Sequence, residues 1–203
     1  MNHFSIPMAL VDFIPVFLFG AGAVILMRDL YNKMSATSFS LFAAGSINVF
    51  SAGFLKALWK FLYAADICDF AALDAMFFPV QSIGFLLAGV GIILMFTKRR
   101  KLLFAIAPPV FSGTFLFVTL MVAGLGCING GLCYLAAKME KSKVIFLFVT
   151  AFFCSLCMGY LSSRDFTESF MNWLAEIINT LGQGVFLGGV VLLDRAGLKE
   201  FKL

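Results

Sequence analysis

Residues 102 to 137 read LLFAIAPPVFSGTFLFVTLMVAGLGCINGGLCYLAA, 36 positions without a charge between Lys101 and Lys138. As one helix this stretch would be about 54 Å long, well beyond the roughly 30 Å hydrocarbon core of a bilayer; as two it would be tight. Whether it crosses a membrane once or twice sets the direction of every later helix. It therefore decides the fold.

Composition settles the solvent first. In 203 residues, 62% are hydrophobic, 26 are Phe and only 13% are charged, more apolar surface than a water-soluble domain can hide. Five spans are plain at about 7–28, 37–63, 73–97, 144–162 and 170–193. MNHFSIP runs almost directly into apolar sequence, so the first helix is expected to act as the insertion signal without a removable leader. Apolar segments fill the chain to about residue 193, and DRAGLKEFKL reads as a tail. That argues against an attached catalytic output domain, and no nucleic-acid-binding signature is present.

Charge resolves the 36-residue stretch. One crossing would divide the 15 Lys and Arg residues 7 to 8 between the two faces. Two crossings place Arg28, Lys33, Lys98 to Lys101, Lys138, Lys141, Lys143, Arg195, Lys199 and Lys202 on one face, leaving Lys56, Lys60 and Arg164 toward the other, a 12 to 3 division. The positive-inside bias of short loops selects the second arrangement. The expectation is an all-α, single integral membrane domain over 1–203, with helices at about 7–28, 37–63, 73–97, 102–119, 121–138, 144–162 and 170–193. Its N-terminus lies outside and its C-terminus in the cytoplasm, in the cell's plasma membrane. The reversal between the fourth and fifth helices is expected near Thr119 to Gly126, where VTLMVAGLG carries flexible residues.

This direction of travel accounts for a repeated phrase: FLFGAGAVILM at 17–27, FLLAGVGIILM at 85–95 and VFLGGVVLL at 185–193. All three helices would run from outside to inside and end at basic flanks. Ala75, Gly84, Leu87, Gly89 and Val90 recur 100 residues later, as a duplication of three helices joined by a fourth would produce. The three-plus-one-plus-three layout resembles that of the SWEET sugar transporters, and seven helices in this orientation resemble the opsin and receptor class. The resemblance covers topology only. The Pro-Gln dipeptide of the sugar transporters is interrupted here as Pro79-Val80-Gln81, and the last helix has no interior lysine to carry retinal.

Polar side chains are costly in hydrocarbon, so their positions carry the functional information. On the last helix Asn172, Glu176, Asn179 and Gln183 follow spacings of four, three and four, one face of a helix. Asn48, Lys56 and Lys60 form a second stripe on the second helix; Lys60 and neighbouring Trp59 are expected as interfacial anchors, with Lys56 deeper. On the third, Asp74 marks a mouth and Gln81 lies near mid-membrane, with Pro79 between them. At 1.5 Å per residue Asp12 lies about 8 Å outward of mid-membrane, and Lys56 and Glu176 about 9 Å. Asp12, Lys56 and Glu176 are therefore expected to cluster, a lysine compensating two carboxylates.

Interhelical hydrogen bonding alone would also use such stripes. The carboxylates favour a solute site lined by Asp12, Asn48, Lys56, Asp74, Gln81, Glu176, Asn179 and Gln183, with Asp12 or Glu176 available to a coupling proton. Seven acids against three bases on the outer face favour a cationic or zwitterionic ligand. Gly84, Ala88 and Gly91, then Gly184 and Gly188, are expected to let helices approach closely in the inner half or to serve homo-oligomer contacts.

Enzyme chemistry finds little support. Cys154-Ser-Leu-Cys157 matches CxxC but lies mid-span without a basic neighbour, as small hydrophobic cysteines would. His3 has no metal partners in the pattern, and Ser112-Gly113 lacks a hydrolase elbow. No cofactor and no metal are expected. The partners are the lipid bilayer and a small-molecule solute, in a transporter or permease-like carrier; a receptor or accessory protein without flux is the alternative.

Overall fold

The computed structural model describes residues 5–97, 114–162 and 169–202. They form α1 (Ile6–Val11), α2 (Phe13–Leu30), α3 (Ala36–Ala64), α4 (Ala71–Phe96), α5 (Thr114–Lys138), α6 (Ser142–Ser162) and α7 (Ser169–Arg195). With α1 and α2 counted as one interrupted span, six helices among the described residues are long and apolar enough to cross a membrane. Helices are the expected form, because hydrocarbon offers backbone N–H and C=O groups no partner outside the chain.

The expected reversal at Thr119 to Gly126 is not there: α5 runs unbroken through it. The glycines of that stretch serve contact rather than turning. A methyl group on Gly124 would overlap the Phe85 carbonyl of α4, so only glycine allows the two backbones to meet there. Of the expected fourth helix, 114–119 belongs to α5 and 102–113 lies outside the described residues, as do His3 and Ser112-Gly113.

Contacts fix the relative direction of every helix. Phe78 meets Phe117, Gly89 meets Gly124, Ile92 meets Gly131 and Phe96 meets Tyr134, so α4 and α5 are parallel. Phe19 meets Phe186 and Arg28 meets Asp194, so α2 and α7 are parallel as well. By the same reasoning α3 is antiparallel to α2 and α4 through Phe13–Phe54 and Gly91–Phe42, and α6 is antiparallel to α5 and α7 through Gly126–Phe152 and Gly189–Phe148. The helices close a ring in the order α2, α3, α4, α5, α6, α7. Two up-down-up triplets, α2–α4 and α5–α7, thus meet at two parallel junctions.

One end of this ring collects the bases. Arg28, Lys33, Lys138, Lys141, Lys143, Arg195, Lys199 and Lys202 lie there, while Lys56 and Lys60 lie toward the other end. We call these ends basic and acidic. Toward the basic end the packing is close: a methyl on Gly45 would overlap the Ala88 nitrogen, one on Gly91 would come within 2.6 Å of the Phe42 nitrogen, and Ser38 Oγ donates to the Gly91 carbonyl at 2.6 Å. Without water to expel, such dispersion contacts and interhelical hydrogen bonds hold membrane helices together. Gly184 and Gly188 depart from the expectation, because among the described residues a methyl group on either would meet nothing within 4 Å; Gly182 and Gly189, on another face, contact Cys154 and Phe148.

The tail is also more than a tail. Leu198 is fully buried, and Lys33 Nζ donates to the carbonyls of Lys199 and Phe201 at 2.9 and 2.6 Å. Arg28 donates to Asp29 at 2.8 Å and to Asp194, tying α2 to the end of α7. The basic end is capped by its own chain.

Candidate functional site

Toward the acidic end the ring encloses a cavity of about 340 Å³. Its polar wall begins with a local failure of the first span. Pro15 has no N–H for the Val11 carbonyl four residues earlier, and the helix breaks between α1 and α2 at Asp12. Asp12 faces inward there, only 6% exposed. Pro79 in α4 leaves an equivalent gap in the hydrogen-bond ladder, yet α4 continues through it.

Seven of the eight expected residues line the cavity: Asp12, Lys56, Asp74, Gln81, Glu176, Asn179 and Gln183. Asn48 does not. Successive fourth residues of a helix drift by about 40° around its axis, so a stripe drawn through Asn48, Ala52 and Lys56 leaves the cavity face within two steps. The α3 residues that do line it are Val49, Phe50, Gly53, Lys56, Ala57, Trp59 and Lys60.

The lysines are assigned differently from the expectation. Lys60, expected as an interfacial anchor, is the ion-pair partner of Asp12. Its side chain is 14% exposed. Lys56 instead faces Asp74 at 3.8 Å and lies 4.0 Å above the Phe77 ring, a cation–π geometry. Glu176, also 6% exposed, brings its carboxyl against that of Asp12, with Asn179 beside it one turn along α7. The expected three-member cluster is therefore a group of five ionisable side chains. Asp12 Oδ1 is buried without a hydrogen-bond partner within the protein.

Trp59 donates to Asp69 at 3.0 Å and stacks on Tyr63, holding the acidic-end terminus of α3 to the turn that follows it. Deeper in the ring, Phe19 packs against Phe85 and Phe186 at 6.0 and 6.1 Å, and Phe148 against Phe186 at 6.1 Å. These rings form a floor. Beneath it a void of about 20 Å³ is bordered by Asn129, Ser155 and Gln183, and Gln183 also reaches the main cavity. Asn129 escaped the sequence reading, although it is the only amide side chain in the 36-residue uncharged stretch.

The five cysteines are free, and the Cys154 Cβ lies against Gly182, where a small side chain is needed. No group of three or more His, Cys, Asp or Glu suited to a metal occurs among the described residues. Compared with known proteins, the chain matches no family model, no curated protein and no solved structure.

Proposed function

We propose that this protein is a small multi-pass carrier that moves a small polar, cationic or zwitterionic solute across the plasma membrane. The observation that carries the reading is the cavity itself: five ionisable and several amide side chains from four helices converge on about 340 Å³ in one half of an otherwise apolar bundle. Polar groups held inside a membrane span at such cost, around a space of ligand size, are the usual mark of a solute pathway. An aromatic floor closes that pathway toward the basic end.

Seven crossings belong to this proposal. Parallel α4 and α5, with Phe96 and Thr114 toward opposite ends of the ring, and parallel α2 and α7 both support an odd number of passages. About 20 helical residues separate the levels of those two chain ends, close to one bilayer thickness. The two up-down-up triplets support a three-plus-one-plus-three repeat. The bias of basic residues to one end supports a cytoplasmic basic end, with the cavity facing outside.

The alternative, a ligand-binding receptor or accessory protein without flux, draws on the Gly184–Gly188 face of α7, which, among the described residues, has room for close contact with another membrane helix. One experiment separates them. Reconstituted protein should accumulate a cationic or zwitterionic solute from a panel, and an imposed pH gradient should change the rate; saturable binding with no flux under any gradient removes the carrier reading.

A further inference from the structure

Charge balance within the cavity carries a narrower conclusion, which rests on the carrier reading above. Among the described residues that line it, Asp12 comes from the α1–α2 break, Lys56 and Lys60 from α3, Asp74 from α4 and Glu176 from α7. From α6 only Met158 lines the cavity. Three carboxylates thus face two ammonium groups. The pairs are not interchangeable, because Lys56 is engaged with Asp74 while Lys60 holds Asp12. Glu176 lies against Asp12 and shares the field of Lys60 with it, so this pair of carboxyls carries the surplus charge.

An uncompensated carboxylate at this burial is expensive, so a compensating positive charge has to occupy the site in every long-lived state. A proton can supply it, and so can a cation.

We propose that the Asp12–Glu176 pair holds either one proton or one monovalent organic cation, each expelling the other, so that the carrier exchanges solute for proton one for one. When the cation enters against the two carboxyls, the shared proton leaves to water. Site charge is the same before and after, and the loaded and proton-bearing forms cross with equal charge. The cavity favours an organic ammonium over a bare metal ion. It is far larger than an ion, and its α3–α4 wall already seats the Lys56 ammonium over Phe77 at 4.0 Å, beside further rings at Phe50 and Trp59. The Asp12 carboxyl lines this space and lies against that of Glu176.

The test uses the full chain in detergent, weakly buffered with a pH indicator, and tetramethylammonium as the probe. Addition of the probe should release about one proton per protein, saturably, in parallel with its binding followed by calorimetry. Glu176→Gln brings acids and bases into balance; it should release no proton and bind the probe roughly tenfold or more weakly. Its thermal denaturation profile in the same detergent establishes that the variant is folded, and if it is not, Glu176→Asp, which keeps the surplus charge, must retain release. Binding without proton release overturns the exchange, and so does the absence of any saturable response to tetramethylammonium. Neither result depends on flux: proton release without uptake in vesicles would refute the carrier while leaving the exchange site, and uptake without release would do the reverse.

Discussion

The two halves of the ring use their small and polar residues in opposite ways. From mid-bundle toward the basic end, Gly124, Gly45 and Gly91 remove side chains so that backbones touch, and the chain's own tail is held to Lys33 at that end. Toward the acidic end, long side chains with charged tips stand off from one another around a space. One half holds the helices together and the other keeps them apart. Damage to the first should therefore be read as lost folding whatever the pH, and damage to the second as a disturbed charge balance that depends on pH or on bound cation.

The hardest test of that division is steric. Gly124→Val places a branched side chain into the Phe85 carbonyl, and overpacking of this kind costs about 3 kcal/mol or more where backbone must move. The variant should fail to give a monodisperse species on size-exclusion chromatography in detergent. A well-behaved, thermally unchanged protein would mean that the α4–α5 contact is not structural.

Lys60→Met attacks the other half. It leaves the Asp12 and Glu176 carboxyls facing each other without their nearest cation, and breaking a buried pair costs about 3 kcal/mol at most in a site that water can reach. We expect a lowered denaturation temperature that acidic buffer restores, since added protons replace the missing charge. A loss of stability that acid does not rescue would place Lys60 among the merely packed residues.

Leu198→Ala probes the cap and should cost about 2 kcal/mol, the lower range for a buried leucine, with greater protease access to the C-terminal residues and unaltered cation binding. Altered binding would show that the halves are coupled. The smallest effect belongs to Asn48→Ala, which lies off the cavity and should change neither stability nor probe affinity beyond about 0.5 kcal/mol in a thermal and calorimetric comparison. A clear loss of affinity would return Asn48 to the site.

Much of this division is legible in sequence because it rests on local rules. Hydrophobic length marks the spans, the sign of flanking charge anticipates the shared direction of α2, α4 and α7, and a spacing of four, three and four on α7 brings Glu176, Asn179 and Gln183 to one wall. What was misread depends on partners that spacing does not name. Thr119 to Gly126 resembles a turn because glycine permits one, yet Gly124 is required by the Phe85 backbone opposite. Lys56 and Lys60 are one turn apart, and only the positions of Asp74 and Asp12 decide which lysine takes which acid. Gly184 and Gly188 have the spacing of a packing face, but the neighbouring helices approach α7 from other sides.

The two parallel junctions have an electrical consequence. In a bundle of six alternating helices the peptide dipoles would point three against three. Among the described helices α2, α4, α5 and α7 point one way and α3 and α6 the other, and the proposed further crossing between α4 and α5 would still leave four against three, so their macrodipoles do not cancel. Each helix presents a partial positive charge at its N-terminus and a negative one at its C-terminus, strongest in the first and last turns. The net field is therefore positive toward the acidic end and negative toward the basic end. Asp74 stands in the first turn of α4, and Arg28, Lys138 and Arg195 stand in the last turns of α2, α5 and α7, each where the backbone favours its sign. The same unbalanced field would favour positive charge on the floor side of the cavity over its mouth, which a cation of the kind proposed would feel on entering.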